Sequence, residues 1–162
     1  MKIGIYPGTF DPITHGHTDI ITRSLRVFDK VVVAVAPNPA KHPLFTLTER
    51  LEMIRIVMKE MKQVEVTHFD GLLVDYVQQY GAHAIIRGLR AISDFEHEFQ
   101  MALINRKIAK QVETVFLMTS EEYSYLSSTI IKDVATHGGA LTEFLHPEVA
   151  RQLQERIRSL KT

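Results

Sequence analysis

The chain contains no cysteine, and its charges cancel, with 19 Lys and Arg against 19 Asp and Glu. The missing thiols exclude a disulfide framework, a thiolate zinc site and a cysteine nucleophile, and they suit a cytoplasmic protein. General nucleic-acid binders gather Lys and Arg on one face, so a net charge of zero argues against a nucleic-acid partner. Any anion site must then be a local cluster. Low net charge also leaves self-association unopposed. The longest all-apolar run, Val31–Ala36, is far too short to span a membrane. The N-terminal stretch holds one lysine and a short apolar run broken by Pro7, which does not read as a signal peptide. No G-x-x-x-x-G-K-[ST] segment occurs, so a P-loop kinase is not expected. No serine triad or paired-carboxylate motif stands out either.

What is present is a regular alternation. The 162 residues fit one domain, read here as 1–162, and 45% hydrophobic content matches a packed core. Strands are expected at Lys2–Tyr6, Lys30–Ala36, Val64–Phe69, Ala84–Ile86 and Val112–Met118. The second is apolar on both faces, as in a parallel strand covered on both sides. Helical faces are formed by Ile21, Leu25 and Phe28, and by Leu47, Leu51, Ile54, Met58 and Met61 behind a Thr46-x-x-Glu49 capping box. Leu73, Val77 and Tyr80 share another face, stopped by Gly81. Phe95, Phe99 and Leu103 follow a second box, Ser93-x-x-Glu96. Ile130, Ile131 and Val134 form a short helix, and Val149, Leu153, Ile157 and Leu160 a final one with Pro147 near its start. The class is α/β: a doubly wound, five-stranded parallel sheet with a C-terminal helical segment. Ligands bind such sheets outside the carboxyl ends of the strands. The loops at Pro7–Gly16, Pro37–Phe45, Asp70–Leu73, Arg87–Ile92 and Thr119–Thr129 should therefore crowd one edge.

The richest of these loops is YPGTFDPITHGH, residues 6–17, set between the first strand and the first helix. A helix N-terminus offers free N–H groups and a positive dipole end, which suits phosphate. Gly16 allows close approach of a ligand, and His17 adds a donor in the first turn. Thr9 reads as a turn residue or as a phosphate contact. Asp11-Pro12 reads as shaping the turn. Lys41 sits in a loop stiffened by Pro37, Pro39 and Pro43 at the active edge. Arg87 and Arg90 flank a glycine just beyond the strand Ala84–Ile86, and guanidinium forks hold phosphate oxygens bidentately. Glu98 reads equally as a helix-surface carboxylate or a site residue. Ser127, Ser128 and Thr129 would cap a helix, and would also donate to a polyphosphate. His15-x-His17 has metal-ligand spacing, but no third ligand stands in an obvious motif.

Three blocks taken together, YPGTFDPITHGH, RGLR with DFEHEFQMALIN, and SEEYSYLSSTIIKDV, resemble the bacterial-type phosphopantetheine adenylyltransferases. These belong to the HxGH-type nucleotidyltransferases and have a Rossmann-like nucleotidyltransferase fold. The HxGH-type segment alone is shared across that superfamily; its combination with the other two blocks is specific. The resemblance implies transfer of AMP from ATP to 4′-phosphopantetheine, giving dephospho-coenzyme A and pyrophosphate. It implies that Thr9, Lys41, Leu73 and Arg87 hold the acceptor. It implies that Thr9, Phe10, His17, Gly88, Leu89, Arg90, Glu98, Tyr123, Ser124, Tyr125, Leu126, Ser127, Ser128 and Thr129 hold ATP. His17 would stabilise the transition state. Mg²⁺ carried on the ATP phosphates, a homohexamer built as a dimer of trimers, and feedback inhibition by coenzyme A follow from the same resemblance. His15 stands where Asn is common, and Thr119 where Pro is common. Alternatives are another acceptor within the superfamily, a metal-dependent hydrolase using His15 and His17, and a nucleotide sensor without turnover.

Overall fold

Alternate residues of the second strand face opposite layers, and both layers are dry. Val31, Val33 and Val35 join one hydrophobic cluster and Val32 and Ala34 the other, all fully buried. That requires helices on both faces of the sheet. The computed structural model describes residues 1–90 and 92–161, with backbone alone at 92 and 93. Its elements run β1 (Ile3–Gly8), α1 (His15–Ser24), β2 (Lys30–Val35), α2 (Leu47–Val57), β3 (Val64–His68) and α3 (Leu73–Tyr80). They continue with β4 (Ala84–Leu89), α4 (Ile92–Ile108), β5 (Glu113–Met118), α5 (Ser128–Thr136) and α6 (Pro147–Lys161). Short 3-10 turns occupy Pro39–Lys41 and Glu121–Tyr123. The five strands are all parallel and lie in the order β3-β2-β1-β4-β5.

Helices α1, α2, α5 and α6 pack on one face through Ile20, Ile21, Met53, Ile54, Ile131, Val149 and Leu153. Helix α3 packs on the other through Val74 and Val77, together with Ala109 and Val112 that follow α4. The expected stops and caps are present. Thr46 N–H donates to the Glu49 carboxylate at 2.8 Å, and Glu49 N–H returns to Thr46 Oγ1 at 3.3 Å. Gly81 ends α3 at φ 71°, where a side chain would be strained. The Ser93-x-x-Glu96 box lies outside the described residues.

Two differences from the sequence reading matter for the site. Strand β4 runs three residues beyond Ile86, because Arg87, Gly88 and Leu89 pair with Phe116, Leu117 and Met118 of β5. Arg87 is therefore held on a strand and not on a free loop. Second, the apolar face of α4 points outward. Phe95, Phe99 and Leu103 are 42%, 46% and 50% exposed, although Phe95 and Phe99 stack at 5.6 Å. A helical period reports which residues share a face, not what covers that face. Ile54, fully buried between α2 and the sheet, gives a test of the core. Ile54→Ala should lower unfolding free energy by about 2–5 kcal/mol in urea titration, through lost transfer energy and a residual cavity.

Candidate active site

Strand β1 pairs with β2 at six positions, from Ile3↔Lys30 to Gly8↔Val35. It pairs with β4 at only two, Gly4↔Ala84 and Ile5↔Ile85. Beyond Ile5 the two central strands part, and a cavity of about 590 Å³ opens at their carboxyl ends. In the order 3-2-1-4-5 this is the switch point of the sheet, where ligands bind. Arg87 spans the gap: its Nη1 donates to the Pro7 carbonyl at 3.3 Å. All five expected loops reach the cavity, contributing among others Thr9, Asn38, Leu73, Arg90 and Leu126.

Thr14 is the N-cap of α1, with φ −121° and ψ 168°. His17 is three residues on, so its ring folds back against the cap. Thr14 N–H donates to His17 Nδ1 at 3.0 Å, and Thr14 Oγ1 lies 3.0 Å from the same nitrogen. An Nδ1 that accepts from an amide carries no proton, which leaves the proton on Nε2. Burial, and secondly the positive charge of Arg90, hold the His17 pKa near 4, against an ordinary 6.5. His17 is thus a neutral Nε2–H donor at physiological pH. The Phe10 ring lies edge-on to it at 5.0 Å, and Tyr6 packs edge-on to Phe10 at 5.5 Å. Phe10 is held at φ 48°, and a Cβ on Gly8 would come within 2.9 Å of its ring. Gly16 differs: a Cβ there would meet protein atoms no closer than 3.5 Å. Since Gly16 lines the cavity, that Cβ would take space open to a ligand, not space needed for packing.

Arg87 forms a bidentate ion pair with Glu98 of α4, through Nε and Nη2. Burial opposes its charge, but the Glu98 carboxylate outweighs this and raises the Arg87 pKa. Glu98 therefore orients Arg87. Arg90 bridges two segments, donating to Asp94 at 3.1 Å and to the Leu126 carbonyl at 3.1 Å. Lys41 lines the cavity at the end of its 3-10 turn, and its ammonium makes no hydrogen bond or ion pair with a described residue. Asn38 Nδ2 donates to Thr9 Oγ1 at 3.3 Å. Ser127 Oγ caps α5 by accepting from Ile130 N–H at 3.1 Å, and Ser128 Oγ donates to the Pro12 carbonyl at 2.8 Å.

Thr9, Phe10, His17, Lys41, Leu73, Arg87, Gly88, Arg90, Glu98, Tyr123, Leu126, Ser127 and Ser128 all line the one cavity. Leu89, Ser124, Tyr125 and Thr129 do not. Leu89 contributes its carbonyl, which accepts from Thr119 N–H at 3.1 Å and Thr119 Oγ1 at 3.2 Å. Ser124 Oγ donates to the Glu121 carbonyl at 2.8 Å; Tyr125 and Thr129 are exposed. Asp94 and His97 also line the cavity, though the sequence reading did not single them out. Asp19 was missed as well. It accepts from Ser120 N–H and Oγ at 2.8 Å each, fastening the 119–129 loop to α1, and these bonds with Arg23 outweigh burial and lower its pKa. In the sequence it looks like half of an ordinary i,i+4 pair with Arg23. His15 turns away from His17, its Nδ1 lying 3.0 Å from the Glu143 carbonyl.

A cavity at the N-terminus of α1, at the switch point of a 3-2-1-4-5 sheet and lined by Lys41, Arg87 and Arg90, has the build of a nucleotidyltransferase site. Residues 5–134 match the cytidylyltransferase-like family model. The chain is 54% identical to the phosphopantetheine adenylyltransferase of Caldanaerobacter subterraneus subsp. tengcongensis, over 98% of this chain and 99% of that one. It is 54% identical to that of Hahella chejuensis, over 97% and 98%. A bifunctional NMN adenylyltransferase/ADP ribose pyrophosphatase from Francisella tularensis, solved with AMP and a manganese ion, shares the fold. Its TM-score is 0.70 at 14% identity, covering 98% of this chain and 51% of that one. The chain belongs to the phosphopantetheine adenylyltransferase family.

Among the described residues no cluster of three His, Asp or Glu side chains could cage a metal ion. The cavity carboxylates Asp94 and Glu98 are each tied to an arginine. Such a site fits Mg²⁺ that arrives on nucleotide phosphates and keeps its waters, not an ion in a protein cage.

NMR titration should find His17 as the Nε2–H tautomer down to about pH 5; a midpoint above 6 would contradict the assignment. Its folded pKa lies below the unfolded one, so stability should fall as pH drops from about 6.5 toward 4 and be insensitive to this group above that window. Gly16→Ala should keep or raise the melting temperature, since Ala favours helix, yet lower kcat/KM by about tenfold or more.

Proposed function

We propose that the chain transfers AMP from ATP to 4′-phosphopantetheine, releasing pyrophosphate and dephospho-coenzyme A, with residues 1–162 acting as one domain. The observation that carries this reading is a single cavity lined both by groups suited to a nucleotide, His17, Arg90, Ser127 and Ser128, and by two cations suited to a second phosphate, Lys41 and Arg87. A side hollow of about 160 Å³ continues beneath α4, sharing Leu73, Arg87, His97 and Glu98 with the main cavity and reaching Met101, Ala102 and Asn105. Its mixed wall suits an acceptor whose phosphate carries a long amide-bearing arm.

In the reaction an acceptor phosphate oxygen attacks the α-phosphorus. A new P–O bond forms, the bond to the β-bridging oxygen breaks, and pyrophosphate leaves. The nucleophile is already anionic near neutral pH, so no strong base is required. Bringing anions together is the difficulty, and fixed donors answer it. His17 Nε2–H and the N-terminus of α1 face the α-phosphate oxygens as charge builds there. A neutral donor takes up that charge without first releasing a proton. Lys41, Thr9 and Arg87, the last held in line by Glu98, grip the acceptor. Arg90 with Ser127 and Ser128 grips the β- and γ-phosphates, while Phe10, Gly88, Tyr123 and Leu126 frame the nucleoside. Mg²⁺ carried on the ATP phosphates would supply charge neutralisation for the pyrophosphate, held through the phosphates that Arg90, Ser127 and Ser128 grip.

Coenzyme A contains both the product's adenylate and its arm, so the same cavity supports its role as feedback inhibitor. The outward residues Phe99, Leu103, Ile104 and Ile108 of α4, each at least 46% exposed, support assembly into a hexamer, a dimer of trimers. Among the described residues no helix is long and apolar enough to cross a membrane, and we place the enzyme in the cytoplasm.

Pyrophosphate release from Mg·ATP is expected with 4′-phosphopantetheine and not with nicotinamide mononucleotide; release with the second acceptor alone would reject the named substrate. His17→Ala should lower kcat on the order of 10²–10³ with a smaller change in ATP affinity. Lys41→Ala should raise the acceptor KM and leave the ATP KM nearly unchanged.

A further inference from the structure

Arg50 interrupts the apolar face of α2, standing beside Leu51 and Ile54. Its side chain is 1% exposed, the largest among the fully buried residues described. A buried cation ordinarily binds a carboxylate. Arg50 binds four main-chain carbonyls instead. Nη1 donates to Thr9 O at 2.7 Å and Ala36 O at 2.9 Å, Nη2 to Pro37 O at 3.0 Å, and Nε to Phe45 O at 3.1 Å. One planar fork thus joins the turn after β1 to both feet of the loop that carries Lys41.

The same junction is held through its amides. Asp11, 4% exposed, accepts from Leu44 N–H at 2.8 Å and Phe45 N–H at 2.9 Å, and pairs with Lys132 at 2.7 Å. A buried cation gathers the carbonyls and a buried anion the amides. These two loops also contain all three left-handed non-glycine residues described: Phe10 at φ 48°, Asn38 at 46° and His42 at 44°. Asn38 and His42 flank the turn that presents Lys41. Such conformations persist only where the surroundings over-determine them.

We propose that Arg50 is a positioning residue for the acceptor phosphate, fixing the Thr9 turn and the Lys41 loop at one separation so that both grip the phosphate together. This rests on the acceptor roles assigned to Lys41 and Thr9 above. Arg50 itself touches no substrate. A lysine there keeps the charge but cannot reach four carbonyls in a plane.

The test is steady-state kinetics of Arg50→Lys, Lys41→Ala and the double variant, with ATP and 4′-phosphopantetheine varied separately. Arg50→Lys should raise the acceptor KM by about tenfold or more and leave the ATP KM within about twofold. The rise should be absent when Lys41 is already Ala, since residues acting through one another are not additive. A role confined to stability would reduce the folded fraction, lowering apparent kcat with both KM values unchanged; that result overturns the proposal, as do fully additive KM effects. If Arg50→Lys does not fold, Arg50→Gln is read by the same criteria. Failure of both to fold assigns Arg50 to the core alone and also overturns it. An acceptor KM unmoved by Lys41→Ala would reject the Lys41 assignment and leave Arg50 to be judged on the Arg50→Lys acceptor KM.

Discussion

The site depends on the place where two parallel strands stop sharing a ladder. Chain order puts β1 and β4 side by side at the centre of the sheet, yet their connections leave in opposite directions, α1 toward one face and α3 arriving from the other. After Ile5 and Ile85 nothing obliges the strands to stay together. Their polar main-chain groups then need other partners, and the Arg87 side chain supplies one by reaching Pro7. A residue suited to phosphate is thus also the clasp across the mouth of the crevice, held by Glu98 on its far side.

Charge is managed locally because the chain has none to spare globally. With balanced totals, the positive potential at the cavity comes from a few fixed groups: the end of α1, Lys41, Arg87 and Arg90. Two arginines are already paired with carboxylates, which fixes the direction of each fork. Lys41 differs, carried on a stiff turn with its ammonium directed at no described partner. His17 differs again in contributing a bond dipole without a full charge.

Much of this was legible in the chain. The two-sided burial of β2 follows from six consecutive apolar residues, and the caps at Thr46, Gly81 and Ser127 follow from residue type. The loop-to-helix junction and the two arginines at the end of β4 were visible as motifs. Other features were not, because residue type and spacing do not report the particular contacts that make them. The proton on His17 is placed by an amide that folds back on it. Asp19 reaches Ser120, 101 residues away, and its neighbour Arg23 disguised it as a surface pair. The exposed face of α4 carries the same period as a core helix. Arg50 left one trace, a charge in an otherwise apolar stripe, whose meaning depends on where four carbonyls converge.

Gly8 has no side chain, and the ring of Phe10 lies where one would stand, with the imidazole of His17 against that ring. Any side chain at Gly8 would displace the ring of Phe10, whose backbone is already in the left-handed region and whose ring meets the imidazole edge-on. The clearance of one missing methyl group, at the last residue of β1, therefore sets where the histidine stands, and drift at this inconspicuous position would be felt as lost chemistry before it was felt as lost stability.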